Sequence, residues 1–422
     1  MRGLVLALAL TCADGVAAQE FTTLKGHGGP IMDIAVSEAG QVATASFDNA
    51  VGLWSGRAPR WLDGHEAAVN AVAFAPDGMV SAGDDFTVRV WNGDAGRVLG
   101  QHKGKVMDLA VSEPLGLVAS ASWDGTIGLW PLNGAVPQDA LARLDAPGGV
   151  NVVAFDGTDG LLAGTTTGAL LRYDLATGDA LPLVQHGFGV NEIVVTPDWI
   201  AYGAVDGGTR VLRRDGMEVA DFTLDRRPIL ALAYHAGTGQ LAVGDGEGYI
   251  MVVDTAEWRI SRDFRATRQG PVWALAFSTD GGTIWAGGLD DVVYGWPVAL
   301  LDEFEPGIDG KRSFLRDPQE MGNGERQFMR KCSICHALEP GPSRKAGPSL
   351  HGVFGRDAGS VPGYVYSETV AGLGFKWTDE TIDALFETGP DHYIPGSKMP
   401  MQVIAKAQDR ADLIAFLKEA TQ

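Results

Sequence analysis

The sequence predicts an all-β propeller of seven blades followed by a small all-α domain. Two observations carry that assignment. A strand-like pattern recurs about every 40 residues up to residue 300, and from Gln319 the apolar spacing changes to that of helices. A content of 45% hydrophobic and 20% charged residues is that of ordinary globular domains, and 422 residues suffice for two or three of them.

Seven segments open the repeats: IMDIAVS (31–37), VNAVAFA (69–75), VMDLAVS (106–112), VNVVAFD (150–156), VNEIVVT (190–196), ILALAYH (229–235) and VWALAFS (272–278). Each is rich in branched residues and precedes turn formers such as EAG, PDG or GTDG, which is strand chemistry. A second strand, a Gly/Asp turn and a third strand follow. The third strands are anchored at Trp54, Trp91, Trp130, Tyr173, Leu212, Val253 and Trp296, with gaps of 37, 39, 43, 39, 41 and 43 residues. Three clear strands and a weaker fourth at that period make one propeller blade per repeat. After Trp296 no fourth strand is evident, whereas Phe21 to Leu24 reads as a strand without a blade of its own.

His27, His65 and His102 stand just before first strands, and Asp48, Asp85 and Asp124 stand six residues before a tryptophan. In these residues the chain resembles the WD-repeat family over roughly 20–300. The likeness is strong in the first three blades and degraded in the fourth to sixth, where the terminal tryptophan is lost. It implies a hydrogen-bonded His/Asp/Trp brace in each blade and a ring closed by residues 21–24, with His186 in the brace slot of the fifth blade. These histidines therefore read as structural, and His235 falls at a turn. The region offers no cysteine and no paired histidines at ligand spacing, so it reads as a binding platform.

Charge narrows the partners. The formal net charge is −20, of which −18 lies before Pro318 and −2 from there onward. An acidic body of this kind excludes nucleic acid and anionic membrane as favoured partners. The N-terminus, MRGLVLALALTCADGVAAQE, has a basic Arg2, an apolar run from Leu4 to Leu10 and small residues at Val16-Ala17-Ala18. It reads as a signal peptide over 1–18, which predicts export to the periplasm and removal of Cys12. No apolar run approaches the ~20 residues that span a bilayer, so no membrane span is expected.

Residues 301–318, LDEFEPGIDGKRSFLRDP, read as a linker to a helical domain over 319–422, with Asn323 as a cap-like start of its first helix. There KCSICHAL holds Cys332, Cys335 and His336. Cys-x-x-Cys-His reads as the attachment site of a c-type haem, because two thiols one turn apart can add to the two vinyl groups and the next residue can ligate the iron. Three other readings compete: a thioredoxin-like redox pair, which lacks its βαβ pattern; a zinc site, which needs four ligands and lacks its downstream partners; and a strained local disulfide. Downstream, IPGSKMP presents Met399 on a stiff polar loop as a soft second axial ligand, with Met401 as a reserve.

From about Met321 to the C-terminus the chain closely resembles class I cytochrome c, the type that includes mitochondrial cytochrome c and bacterial cytochrome c2. NGERQF, CSICH, GPSLHGVFGR, GYVYS with GFKW, IPGSKM and DLIAFLKEAT carry the likeness, in that order. It implies one covalent haem c held by Cys332 and Cys335, with His336 and Met399 on the iron. It implies that Pro348 presses on the His336 side and that the segment before Pro348 accepts the imidazole N–H. Arg356, Tyr366 and Trp377 are expected at the buried propionate, while Tyr364 and Phe375 read equally well as core. Gly324 and Phe328 are expected to cross Leu413 and Phe416. Two features depart from the family: Phe386 replaces a tyrosine near the sulfur, and GPDHY lacks the usual lysines. The expected function is one-electron transfer in the periplasm, the propeller docking a redox partner. The alternative is an oxidoreductase whose propeller holds a substrate or second cofactor and passes electrons to the haem.

Overall fold

The computed structural model describes residues 21–132, 142–226, 228–301, 321–341 and 343–422. The leader at 1–18 with Cys12, and the linker beyond residue 301, lie outside the described residues. Within them, the chain up to Pro297 folds into seven four-stranded antiparallel sheets. The innermost strands, from Ile31–Val36 to Val272–Phe277, contact one another in sequence around a ring, and the last contacts the first. The seventh sheet takes its outer strand from the N-terminus: Thr22–Lys25 pairs with Val292–Pro297, Thr22 opposite Gly295 and Lys25 opposite Val292. That pairing closes the ring and covers what would be an open sheet edge.

Each blade packs through a tryptophan or its replacement. Trp54, Trp91, Trp130 and Trp296 are at most 2% exposed, as is Tyr173 in the fourth blade. The first three blades hold the brace. In the third, Trp130 Nε1 donates to Ser120 Oγ (2.7 Å), Ser120 bonds His102 Nε2 (2.7 Å), and His102 Nδ1 meets the Asp124 carboxylate (3.1 Å). Thr44 takes the hydroxyl position in the first blade and Ser81 in the second. The fifth blade departs. His186 Nε2 meets Asp206 (2.9 Å), but Tyr202 occupies the hydroxyl slot, its OH 3.2 Å from His186 Nδ1, and Leu212 replaces the tryptophan.

A second pattern runs around the axis. In all seven blades the pairing of the innermost strand slips after its first residue, which is a β-bulge. Asn70, Asn151 and Asn191 sit in these bulges and donate to carbonyls of the next blade, Val106, Val190 and Ile229. One residue further on, Asp33 accepts the Val72 N–H and Asp108 accepts the Val153 N–H, each at 2.8 Å. Glu192 holds the equivalent place in the fifth blade. Burial raises the carboxyls of Asp33 and Asp108 to about 6 and about 7, and Glu192 well above its ordinary value; the charge of Asp33 adds to the shift of Asp108, and both add to that of Glu192.

The helical domain has α1 (Asn323–Lys331), α2 (Glu368–Ala371), α3 (Asp379–Thr388), α4 (Pro390–Tyr393) and α5 (Ala407–Ala420). Helices α1 and α5 cross where Gly324 lies against Asp412 and Phe416; a Cβ there would fall 2.1 Å from the Asp412 carbonyl. Phe328 meets Phe416 with ring centres 5.6 Å apart, and Leu413 is fully buried between them and α3. Asn323 differs from expectation. Gly322 occupies the cap position, and the Asn323 amide instead reaches across to Asp409 and Asp412 of α5. The helix crossing outcompetes local capping for that side chain.

Candidate functional site

Helix α1 ends at Lys331, and the chain continues in a single tight turn. The N–H groups of Cys335 and His336 both return to the Cys332 carbonyl, at 3.0 and 2.9 Å. This turn brings both sulfurs and the imidazole to the wall of one cavity. The two cysteines are free thiols, and burial pushes Cys332 up to about 12 and raises Cys335 as well, so both are protonated at neutral pH. Burial lowers His336, which leaves a neutral imidazole. Its Nδ1–H donates to the Pro348 carbonyl at 2.8 Å, so Nε2 is the nitrogen left to ligate. The acceptor is thus Pro348 itself, a correction to the expectation that the preceding segment would supply it. Gly347 explains how the carbonyl comes so near: a Cβ on it would lie 2.5 Å from His336 Cε1.

The same cavity is lined by Pro348, Arg356, Tyr366, Trp377 and Met399, so every residue expected to hold the haem or its iron reaches it, the reserve Met401 apart. Met399 N–H is held by Ser397 Oγ at 3.1 Å, which fixes the ligand loop. Met401 does not compete, being 53% exposed with its sulfur against Gly389. Arg356 and Trp377 are joined by a two-way backbone ladder: Trp377 N–H to Arg356 O (2.9 Å) and Gly355 N–H to Trp377 O (2.8 Å). The Arg356 guanidinium donates to the carbonyls of His351 (2.7 Å) and Ser349 (2.9 Å), while burial lowers its pKa. Such a half-buried cation, whose hydrogen bonds among the described residues go to neutral carbonyls, suits an incoming carboxylate. Tyr366 OH accepts the Val361 N–H at 3.3 Å.

Leu350, Leu385, Phe386 and Ile394 supply apolar walls. Two neutral thiols, an oriented imidazole, a thioether and a waiting cation around an apolar cavity fit a covalently held haem. The structure adds lining that the sequence did not announce. Tyr364 faces the cavity, donates to the Ala346 carbonyl (2.7 Å) and meets Tyr366 edge-on, so it is more than core filler. Its neighbour Tyr366, two residues on, was the available signal. The propeller contributes as well: Phe47, Asn49, Glu66, Ala67, Ala68 and Asp84 line the same cavity. Among the described residues no group of three His, Cys, Asp or Glu side chains could hold a metal ion.

Comparison with known proteins agrees with both halves of this picture. The "Cytochrome c" family model matches residues 322–421, and "WD domain, G-beta repeat" matches 18–55, 57–92 and 93–131. The chain is 45% identical to cytochrome c of Sesamum indicum over 105 residues, which is 25% of this chain and 93% of that protein. It is 44% identical to cytochrome c of Arabidopsis thaliana over 99 residues, 24% of this chain and 88% of the relative. With cytochrome c of Gibberella zeae the identity is 42% over 103 residues, 24% and 96% of the two chains.

Proposed function

The chain belongs, through its last hundred residues, to the cytochrome c family, and on that premise we propose that it is a periplasmic one-electron carrier whose propeller docks it to a redox partner. A domain of this family holds haem c covalently and transfers electrons through its iron. When bound, the haem supplies an iron that takes and gives one electron without chemistry at any side chain.

The protein's own residues do the rest. Cys332 and Cys335 anchor the group through their sulfurs, so that it is not lost after export. His336 presents Nε2 because the Pro348 carbonyl holds Nδ1–H, and that bond keeps the ring from rotating as the iron changes charge. Met399 offers a soft sulfur, which favours the reduced state. Arg356, with Tyr366 and Trp377 beside it, receives a carboxylate in a site screened from water, and Phe386 keeps the wall near the sulfur apolar. The observation that carries the reading is the convergence of both thiols, the Pro348-held imidazole and Met399 on one cavity.

The test is cofactor stoichiometry. The mature protein, expressed with cytochrome maturation machinery, should contain one covalent haem and one iron per chain, low-spin in both oxidation states. A second metal or chromophore lost on deleting residues 20–300 would instead make the propeller catalytic. Export is supported by the leader-like segment at 1–18; N-terminal sequencing of protein recovered from the periplasm should begin near Gln19.

A further inference from the structure

The haem-side cavity does not end at the helical domain. Propeller residues around Phe47, Glu66 and Asp84 line its outer side, and two turns that meet the helical domain there are set by braces. Asp48, the carboxylate of the first brace, also accepts the Gly28 N–H (2.8 Å), and Asp85 of the second accepts the Glu66 N–H (3.0 Å). The turns carrying Gly28 and Glu66 are therefore held rigid from inside their blades.

Against these turns the helical domain places its basic residues. Arg344 grips Asp63 with both ends of its guanidinium, at 2.9 and 3.2 Å, and lies over the Trp61 ring at 4.2 Å. Lys398, next to Met399, bonds the Glu66 carboxylate (3.1 Å) and carbonyl (3.2 Å). Lys345 is half-buried at the seam, its pKa lowered by desolvation and partly restored by Asp291, Cys335 and Asp48. Gly28 sits so close that a Cβ would fall 2.4 Å from the Arg344 backbone.

We propose that the propeller's first docking partner is the chain's own haem domain: the acidic turns of the first two blades seat on Arg344, Lys345 and Lys398 and wall the mouth of the haem cavity. The inference rests on the haem reading above and adds the partner surface to it. Exposed ion pairs of this kind are individually weak and are screened by salt. The seat is therefore reversible, and a redox partner reaches the haem through a competitor for the same three cations.

A wedge tests this without altering charge. Gly28→Leu puts a side chain into the seam, and the three atoms nearest its Cβ all belong to Arg344 and Lys345. Full-length, haem-loaded protein would be compared with the variant by small-angle scattering and by stopped-flow oxidation of the ferrous form with ferricyanide. Each ferrous haem gives one electron to one ferricyanide, and no bond is made or broken. The variant should show a larger radius of gyration and oxidation faster by about tenfold, the ratio for about 1.4 kcal/mol of closure. Arg344→Asp should do the same, and adding Asp63→Arg should reverse it. Unchanged radius and rate in Gly28→Leu, with one haem per chain in both proteins, would overturn the docking alone. So would failure of the charge exchange to restore closure. Absence of covalent haem from both proteins would overturn the haem reading and this one with it.

Discussion

The channel of the propeller should make the fold lose stability as pH rises toward neutrality, and Asp108→Asn should remove a share of that loss. The carboxyl of Asp108, at 3.8 in its ordinary state, is raised to about 7 by burial, against the help of the Val153 N–H. Asp33 moves to about 6 for the same reason. Each folded-state value lies above the unfolded one, so between them the folded protein holds protons that the unfolded chain has released. Stability from these groups is complete below about pH 4 and is lost as pH rises through about 6 to 7, at about 1.4 kcal/mol per pH unit for each such proton. For Asp108 the whole span amounts to on the order of 4 kcal/mol. Asparagine keeps an acceptor oxygen for the Val153 N–H and carries no charge to desolvate. His102, lowered by burial, gives the opposite slope below about pH 6.5, but wild type and variant share it, so the difference between their curves reads Asp108 together with its effect on Glu192. Denaturant titrations from about pH 4 to about pH 8 would read it, followed by tryptophan fluorescence, since ten of the eleven tryptophans precede residue 300. The variant should match wild type at the acid end and exceed it by a few kcal/mol at the alkaline end. Parallel curves would refute the argument.

Three further outcomes follow from single contacts. Ser120→Ala removes the oxygen shared by Trp130 and His102 inside a fully buried brace, and should cost about 2 to 4 kcal/mol in thermal or denaturant unfolding. Gly347→Ala forces a methyl toward His336 Cε1 and should lower the yield of low-spin haem in absorbance spectra while the propeller's circular dichroism is unchanged. Met399→Ala should turn the ferric haem high-spin and lower its midpoint potential in a redox titration; Met401, pointing away at 53% exposure, should not rescue it.

Features set by short spacings were legible in the sequence. The period of about 40, the His/Asp/Trp braces and Cys-x-x-Cys-His each lie within one blade or one turn, so linear order reports spatial order. Met399 was offered by its stiff polar loop, whereas Arg356 needed the family likeness, because nothing local says that it faces the same cavity. The channel carboxylates were not legible. Asp33, Asp108 and Glu192 look like ordinary polar positions of strands until the bulge behind each shifts its register and sets it against the next blade. Tyr202 in the brace slot was hidden because it replaces a small hydroxyl residue with a large one that offers the same oxygen. The seam between domains was hidden for a simpler reason: Arg344 and Asp63 are 281 positions apart, and neither carries a signature.

The shared seventh sheet has a bearing on how the molecule is made. Thr22–Lys25 leaves the ribosome before every other strand of the ring, yet its partner Val292–Pro297 is the last of them to follow. Until then one strand of backbone donors waits uncovered, and six finished blades stand as an open arc with a raw margin at either end. A chain cut short before Val292 never acquires the mate and stays sticky, open to proteases and chaperones. The final hairpin thus works as a length check, because only a chain read through to the end of the ring can fasten it, and the strand that fastens it precedes the Cys332–His336 turn in the chain.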